Sequence, residues 1–577
     1  MAFDNVDIGS LLWRSVAVVL AVVVGRFLYG GYVSRSRVRA LKAQGLPILP
    51  HSLLFGHLPI LAEFRAAHPP DANMYLVQGW LARNWKKYLP DQDDLPPVVY
   101  LDTWPVSASL AVIFDPLVAA QFTYTKNLPK SDLTIDFLKP LTGGIDIVCS
   151  EGEAWKTWRS RFNPGFSQRN LTALLPDLLE EATVFADGLK KSAGRNGQWG
   201  PVFPLEERTT NLTLDIITRS ALDMRLNEQT ATTSSPLKVA LMDQLRLLGT
   251  RTSVKNWLPT GYLSWRAAIN RNNKVIRDVL MPLIQDKLQS DSSNASQKKT
   301  TVDLAIRYVD KDDRTSASSR QAPSPEFIDH LIANLKVFLF AGHDTTSSTI
   351  CFMTKLLADH PDCLAKMRAE HDAVLGPDPD RAAEALLASP HLLHALPYTL
   401  GVIKETLRLY PLAATARATP PGTRLLGAGG RCYPVDGFEL WAAPPVIQTH
   451  PGYWGPRAHE FAPERWTAAE GEGEPRCCKE AWIPFAYGPR NCIGMELALT
   501  ELKLVAVLTA RSLDVEEAWE DWDAQQQRGS EATTTTTTPA YVVDGQRLYP
   551  VGMSTVHPKD GMPVHVRLRD RPAVVVA

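Results

Sequence analysis

The sequence lacks an excess of charge of either sign. Among its 577 residues, 61 Lys and Arg balance 62 Asp and Glu, so the net charge at pH 7 is −1. A chain without a net positive field has no general attraction for nucleic acid, and any attraction to a membrane must be local. No repeat with a period of about 20 to 50 residues is visible, which argues against solenoids and propellers.

Cysteine is scarce. Its seven occurrences are an odd number in a long chain, which argues against a disulfide framework and favours a reducing compartment. Cys477 and Cys478 are adjacent but have no partner pair at zinc spacing, so we do not expect a zinc site there. The composition, 45% hydrophobic and 21% charged, is instead that of a globular protein with a large core.

Acidic residues are absent from an apolar segment near the N-terminus, residues 8–33. Its uninterrupted apolar run, residues 16–24, is shorter than the about 20 residues that cross a bilayer. Spanning therefore requires Arg14 and Arg26 to extend their side chains to the two headgroup layers. We predict a membrane anchor over residues 1–34 with one transmembrane helix.

A secretory signal peptide is the alternative for this segment. Asp4 and Asp7 argue against it, because a signal peptide begins with a positively charged region, and no clear cleavage site follows. Basic residues after the span place the rest of the chain in the cytosol by the positive-inside rule. Prolines and glycines then predict a helix-poor, basic hinge over residues 35–60.

The rest of the chain shows mainly helical periodicity, for example over residues 331–339 and 497–508. Strand-like segments are short and few: residues 98–101, 111–114 and 564–568. We therefore predict a mainly α fold with small β-sheets. Two polar stretches, residues 290–324 and the threonine run 533–538, are predicted to be surface loops.

Cys492 stands just before a predicted helix that starts near Met495, within a fixed pattern of five residues: Phe485, Gly488, Arg490, Cys492 and Gly494. This pattern resembles the haem-thiolate loop of the cytochromes P450 at every position. The resemblance implies haem b (iron protoporphyrin IX), with Cys492 as the iron ligand whose electron donation favours O–O cleavage. At the start of a helix, we expect backbone N–H groups and the helix dipole to stabilise its thiolate. The alternative is an ordinary buried cysteine before a helix.

Other residues are assigned to the cofactor through the same resemblance. The loop glycines let the backbone pass close under a flat ring, and Arg490 can pair with a propionate. Trp155 and Arg159 resemble the helical pair that contacts a propionate in the family. Arg417 is a further propionate candidate, with a solvated loop arginine as its alternative.

A long helix is predicted between the N-cap Ser324 and the stop at Pro361, about 54 Å at 1.5 Å per residue. Its middle, residues 341–346, combines glycine with hydroxyl and acidic residues that weaken a helix. This hexapeptide resembles the oxygen-activation motif of the P450s. The resemblance implies that Thr345 orients dioxygen and that Asp344 supplies protons through water. A polar kink is the alternative, and His343 is expected to be a bystander.

Glu405 and Arg408 lie at i and i+3 on one helix face, and Arg465 follows in the matching context of the family. The resemblance implies that these three form a structural charged triad near the haem loop. It covers residues 45 to 575 roughly, and implies the P450 fold with one haem-binding catalytic domain over residues 61–577.

The resemblance implies a monooxygenase that inserts one oxygen atom from O2 into an apolar small molecule, similar to fungal P450s of sterigmatocystin-type polyketide pathways. No flavin or nicotinamide motif fits, so NADPH electrons would come through a separate cytochrome P450 reductase, with cytochrome b5 as a second donor. The implied place is the endoplasmic reticulum membrane, with the catalytic domain cytosolic and no nucleic acid partner. The alternatives are a haem-thiolate isomerase or dehydratase acting on a peroxide, and a non-catalytic haem sensor.

Overall fold

The computed structural model describes residues 8–250, 258–289, 299–312, 324–467, 478–530, 541–552 and 555–569. Helices form most of this part of the chain, with these bounds: α1 Ile8–Ala43, α2 Leu58–Ala67, α3 Leu76–Tyr88, α4 Pro116–Ala120, α5 Asp132–Thr142, α6 Gly152–Phe162, α7 Gln168–Ser192, α8 Leu205–Leu222, α9 Pro236–Gly249, α10 Pro259–Gln289, α11 Thr301–Asp312, α12 Pro325–Asp359, α13 Pro361–Leu375, α14 Ala382–Ala388, α15 Pro397–Leu409, α16 Pro444–Ile447, α17 Pro451–Trp454, α18 Met495–Ala510 and α19 Trp519–Ser530.

The strands are short, as predicted: β1 Val98–Leu101, β2 Leu110–Ile113, β3 Phe203–Pro204, β4 Ala416–Arg417, β5 Arg424–Leu426, β6 Cys432–Pro434, β7 Glu439–Ala442, β8 Leu513–Glu517, β9 Pro550–Val551, β10 His557–Pro558 and β11 Pro563–Leu568. The described chain divides into two compact units. The first comprises Met1–Pro70, Tyr75–Ser131 and Thr415–Ile447. The second comprises Asp71–Met74, Asp132–Ala414 and Gln448–Ala577.

The first unit is built on a sheet in the order β1-β2-β7-β4, in which β2 and β7 are parallel and the other pairs antiparallel. A β5-β6 hairpin accompanies it. All four residues of β1 are buried, as expected for a strand covered on both faces.

Helix α1 runs without interruption past the predicted anchor boundary at residue 34. Its side chains over residues 13–29 are exposed, and among the described helices it alone is long and apolar enough to cross a membrane, a test that a signal sequence also passes. Beyond this part, Ser34 donates to Asp102 at 2.6 Å and the buried Arg35 pairs with the same carboxylate. The start of the predicted hinge is therefore helical and tied to the first unit.

The second unit is mainly helical, with α12 at its centre. Helix α12 packs against α8, α15 and α18. A sheet in the order β3-β11-β8 and the β9-β10 hairpin complete the unit. Twenty-four residues of α12 are buried, so most of its surface is covered by neighbouring elements.

The predicted bounds of the long helix are confirmed. The Ser324 hydroxyl caps the N-terminus by accepting from the Phe327 N–H, and the helix ends at Asp359, two residues before Pro361. The expected weakness at residues 341–346 does not interrupt it. Burial of the flanking turns outweighs the low helix propensity of these residues.

The prediction of a surface loop over residues 290–324 is wrong for its middle, where α11 forms. Thr300 and Asp303 exchange hydrogen bonds in the manner of a capping box, and Val302 and Ala305 are buried. The capped N-terminus and the two buried side chains stabilise a helix in spite of the polar composition of the segment. The flanking stretches, residues 290–298 and 313–323, and the threonine run 533–538 lie outside the described residues, as does Cys477.

Candidate active site

Cys492 lies in a loop of the second unit whose backbone bonds fix its position before α18. Its N–H donates to the Phe485 carbonyl at 2.9 Å, and the Asn491 N–H donates to Gly488 at 3.0 Å. Gly488 has φ +102°, a conformation that a residue with a side chain rarely adopts. The Phe485 ring packs edge-on against Trp482. Local hydrogen bonds and one glycine thus determine where the sulfur lies.

The Cys492 thiol is accessible although protein atoms surround it. Burial raises its pKa, whereas the N–H of Gly494 and the charge of Arg159 act in the opposite direction. The Gly494 N–H thus favours the thiolate, as expected of a helix start, but burial outweighs it and the net shift of the pKa is upward. A cation bound at the sulfur would stabilise the thiolate against this effect of burial.

Two arginines are held at this loop, one from α6 and one from the loop itself. Arg159 of α6 donates to the Asn491 carbonyl at 2.8 Å and to its side-chain oxygen at 3.0 Å. Arg490 is buried, donates to Glu151 at 2.7 Å, and lies 4.5 Å from the centre of the Trp155 ring. Protein atoms therefore position both guanidinium groups.

These residues fit an iron porphyrin. A thiol is a soft ligand suited to iron, and guanidinium groups match the geometry of carboxylates such as propionates. A Cβ atom built at Gly494 would find the Cys492 sulfur at 3.9 Å as its nearest neighbour, so this glycine leaves open space beside the ligand atom. Arg417 is fully buried in β4 of the first unit, and its assignment to a propionate stays a prediction.

Helix α12 brings a second group of predicted residues into the same unit. Ala341 is exposed although the residues before it on the helix are buried, which indicates that this side of the helix borders an open space. Thr345, one turn later, donates its hydroxyl to the Ala341 carbonyl at 2.9 Å. Thr346 points elsewhere, since it is buried and bonds to Glu501 of α18.

Gly342 has a packing role. A Cβ atom there would lie 2.8 Å from Ile217 of α8. The Thr213 hydroxyl of α8 also donates to the His343 carbonyl at 2.9 Å. The glycine therefore permits the close approach of α8 to α12.

Asp344 is buried, and the sequence did not reveal its partners. The Thr555 hydroxyl donates to its carboxylate, and Nε2 of His557 lies 3.5 Å from it. His557 in turn contacts Glu206 at 2.7 Å. These residues come from distant parts of the chain and belong to no local motif, so no sequence pattern predicts the contact.

Glu405, Arg408 and Arg465 meet as predicted. Arg408 binds both oxygens of Glu405, at 2.7 and 2.9 Å, and Arg465 lies 3.5 Å from the same carboxylate. Arg408 also donates to the carbonyls of Gln448 and Glu460, each at 2.9 Å. Glu405 and Arg408 are fully buried, so the group is a closed network with a structural role.

The chain is similar to known proteins over most of its length. A family model for Cytochrome P450 matches residues 101–542. Cytochrome P450 monooxygenase polC of Polytolypa hystricis is 34% identical over 577 residues, which cover 98% of this chain and 97% of polC. Cytochrome P450 monooxygenase acrF of Aspergillus aculeatus is 31% identical over 493 residues, covering 82% of this chain and 94% of acrF.

Solved structures show the same fold. The crystal structure of the cytochrome P450DA heme domain has a TM-score of 0.68 and 21% identity, and the match covers 91% of this chain and 98% of that domain. The family match spans more than half of the chain and includes the loop with the predicted iron ligand. The chain therefore belongs to the cytochrome P450 family of haem-thiolate monooxygenases.

Proposed function

We propose that this P450 inserts one oxygen atom from O2 into an apolar secondary metabolite, with a polyketide as the substrate class. The observation that supports this most directly is that the second unit contains both an accessible Cys492 and an accessible side of α12 at Ala341 and Thr345. The fungal relatives polC and acrF are named monooxygenases, in agreement with this activity.

In this proposal, Cys492 ligates the haem iron while Arg159 and Arg490 pair with the propionates, and Trp155 supports Arg490. The bound haem supplies the iron that binds and activates dioxygen. Thr345 would orient the dioxygen through its hydroxyl, which is already held by the Ala341 carbonyl. Asp344 would hold the proton that this hydroxyl or a water passes on.

Electrons would come from NADPH through a separate cytochrome P450 reductase, with cytochrome b5 as a second donor. Within the described part of the chain, no glycine-rich segment lies between a strand and a helix in the manner of a nucleotide site: Gly427 to Gly430 follow β5 and lie in a short turn before β6. A monooxygenase of this kind therefore depends on a partner for reducing equivalents.

The enzyme would reside in the endoplasmic reticulum membrane with its catalytic part in the cytosol. Helix α1 supplies the span, and exposed apolar side chains add to it: Leu53, Leu54, Phe55 and Val106. Arg35, which donates to the carbonyls of Leu54 and Trp104, holds the two loops that carry these residues near the end of the helix. This arrangement supports a second, shallow membrane contact.

The ligand assignment is tested by Cys492→Ala and the matched control Cys432→Ala, which alters a half-buried cysteine in β6 of the first unit. Only a thiolate ligand gives the strongly red-shifted band of the reduced CO complex. We expect Cys492→Ala to lose haem or this band and Cys432→Ala to retain both. A normal thiolate spectrum in Cys492→Ala would refute the assignment.

The reaction class is tested by NADPH consumption with added reductase. A monooxygenase consumes NADPH and O2 and forms an oxygenated product, whereas an isomerase or dehydratase acting on a peroxide consumes neither, and a sensor forms no product. A library of apolar polyketides, screened for compounds that shift the Soret band, identifies the substrates for this assay.

A further inference from the structure

The buried carboxylate of Asp344 meets one hydroxyl and two imidazole rings. Its Oδ2 accepts from the Thr555 hydroxyl, and its Oδ1 lies 3.5 Å from Nε2 of His557 and 3.7 Å from Nε2 of His343. Asp344 is only 6% exposed, so it has little direct contact with solvent from which to regain a proton. The two histidines differ in what the rest of each ring contacts.

His343 cannot pass a proton to Asp344. Its Nδ1 donates to the Leu339 carbonyl at 2.6 Å, and burial lowers its pKa, so the ring is neutral. The neutral ring then has no hydrogen on Nε2, the atom that faces Asp344. That atom makes no hydrogen bond within the described residues.

His557 is connected at both nitrogens. Nδ1 lies 2.7 Å from Glu206 of α8, and Nε2 lies 3.2 Å from the Thr555 hydroxyl oxygen. Side-chain exposure decreases inward, from 31% at His557 to 9% at Asp344. A chain of polar atoms therefore leads from a ring in contact with solvent to the buried acid.

The charged groups around His557 keep its ring protonated. Glu206 faces it from α8, and Asp344 and the neutral His343 face it from α12. Burial by itself lowers the pKa of His557, but the hydrogen bond that its ring donates to Glu206 and the charges of Asp344 and Glu206 outweigh burial and raise the pKa to about 9. At neutral pH the ring thus carries a hydrogen on each nitrogen, and Nε2 donates to Thr555.

We propose that His557 is a proton-relay residue that reprotonates Asp344 through the hydroxyl of Thr555. The Nε2 proton of the imidazolium moves to the Thr555 oxygen while the hydroxyl proton of Thr555 moves to Oδ2 of Asp344. The step leaves a neutral imidazole and a protonated carboxyl group, with no change in electrons. The partly exposed ring regains its Nε2 proton from solvent.

In this relay Glu206 is a positioning residue. Its carboxylate holds the Nδ1 hydrogen of His557 and thereby directs Nε2 towards Thr555. The inference rests on the proposed function, since a relay to Asp344 serves catalysis only if that acid supplies protons to reduced oxygen.

The first test measures the charge of His557 independently of turnover. A histidine whose pKa is raised on folding stabilises the protein fully below its unfolded value of about 6.5, and this stabilisation is lost as the pH rises through about 9. We expect the urea midpoint of the full chain to fall more between pH 7 and 9.5 in the wild type than in His557→Gln.

The matched control for this test is His565→Gln, since His565 also pairs with an acid, Asp521, but lies away from Asp344. It should retain the pH-dependent change that the wild type shows. An equal change in the wild type and in His557→Gln would overturn the proposal, because His557 would then carry no extra proton in the folded state.

The second test measures coupling with reductase, NADPH and the polyketide that gives the largest Soret shift. We expect His557→Gln and Thr555→Val to form about 10-fold less product per NADPH, to release more hydrogen peroxide and to show a larger solvent deuterium isotope effect. Thr555→Ser, which retains the hydroxyl, should restore coupling. Wild-type coupling should decline towards the His557→Gln value as the pH rises through about 9.

The reduced CO spectrum of each variant shows whether the haem site is intact. With intact spectra, unchanged coupling in both His557→Gln and Thr555→Val would overturn the relay. If the wild type itself consumes no NADPH, the monooxygenase proposal fails instead, and the stability test still reports on His557.

Discussion

At the scale of single residues, the groups proposed to hold the cofactor are already held by the protein. Arg159 and Arg490 bind loop and backbone atoms, and Thr345 bonds to its own helix. Side chains fixed in this way lose little entropy when they engage a ligand, which favours a site formed before the cofactor binds.

Thr345→Ala tests the oxygen-binding role at this scale. Substrate binding and electron transfer do not need the hydroxyl, so we expect NADPH consumption to continue. Without that hydroxyl, proton delivery becomes inefficient, and product per NADPH should fall by roughly 10-fold while hydrogen peroxide increases. The measurement is the ratio of product and peroxide to NADPH consumed.

The matched control is Thr349→Ala, one helical turn further along. Thr349 also donates to a carbonyl four residues back, that of Thr345 at 2.8 Å, but its side chain is buried. We expect near wild-type coupling in this variant. Equal uncoupling in both variants would mean that the effect reflects the helix and not the Thr345 hydroxyl.

The sequence predicted the residues of this site that belong to local motifs. Cys492 and Glu405 could be assigned because short fixed spacings surround them, and a spacing in the sequence translates directly into a loop or a helix face. The contact of Thr555 with Asp344 spans 211 positions and has no such spacing. The burial that raises the pKa of Cys492 could not be predicted for a related reason, because burial is a property of the folded chain and not of the motif.

At the scale of secondary structure, the close approach of α8 and α12 depends on Gly342. A Cβ atom there would meet two atoms of Ile217, at 2.8 and 2.9 Å. We expect Gly342→Ala to lower the free energy of unfolding by about 1 kcal/mol, because overpacking outweighs the gain in helix propensity. In an Ile217→Ala background the same substitution should leave the free energy of unfolding unchanged. Urea denaturation of the wild type, the two single variants and the double variant measures this.

Gly188→Ala in α7 serves as the control. No atom lies within 4 Å of a Cβ atom at Gly188, so the alanine should stabilise the helix by roughly 0.5 to 1 kcal/mol. A destabilisation of similar size at both glycines would contradict the packing explanation for Gly342.

The elements themselves were predicted unevenly. Helix α12 has a cap, a proline at each end and a long apolar pattern, and its bounds were predicted closely. Helix α11 was missed because it is short and polar, and its stability depends on the burial of Val302 and Ala305 by partners that the sequence does not reveal.

Deletion of residues 1–33 tests the membrane anchor. The deletion removes the exposed apolar part of α1 but retains Ser34 and Arg35, which bind Asp102. We expect most of the protein to move to the soluble fraction with an unchanged reduced CO spectrum. A small fraction should stay bound to the membrane through the loops near Leu54. Full retention in the membrane fraction at high salt would contradict a spanning α1.

At the scale of the whole molecule, two buried neutral histidines make stability depend on pH. His57 accepts from the Asp102 N–H at 2.7 Å, and burial together with the nearby His51 lowers its pKa to about 4. His371 lies 2.8 Å from the Thr399 hydroxyl, and burial lowers its pKa to about 3. One histidine lies in each compact unit.

We expect acid to destabilise both units. Below pH 6.5 these two histidines bind protons in the unfolded chain but stay neutral in the folded protein. The free energy of unfolding therefore falls as the pH drops towards 4 for His57 and towards 3 for His371. At pH 5 each of these two histidines should lower the free energy of unfolding by about 2 kcal/mol relative to pH 7.5. Urea denaturation at the two pH values measures the loss.

The double variant His57→Gln and His371→Gln should lose less stability between these pH values than the wild type. His391→Gln, which alters an exposed histidine, should behave like the wild type. An unchanged pH dependence in the double variant would show that other groups cause the acid sensitivity.

The unbroken course of α1 from its exposed apolar part into the first unit has a consequence for how the enzyme responds to its lipid environment. Helix α1 continues without a break from Ile8 to Ala43, and Ser34 and Arg35 near its end bind Asp102, so the described residues contain no flexible joint between the apolar part of α1 and the rest of this unit. A transmembrane helix adapts to a thicker or thinner bilayer by changing its tilt. In the membrane-anchored state that we propose, that change of tilt would turn the first unit together with α1, so bilayer thickness would set the angle between this unit and the membrane surface.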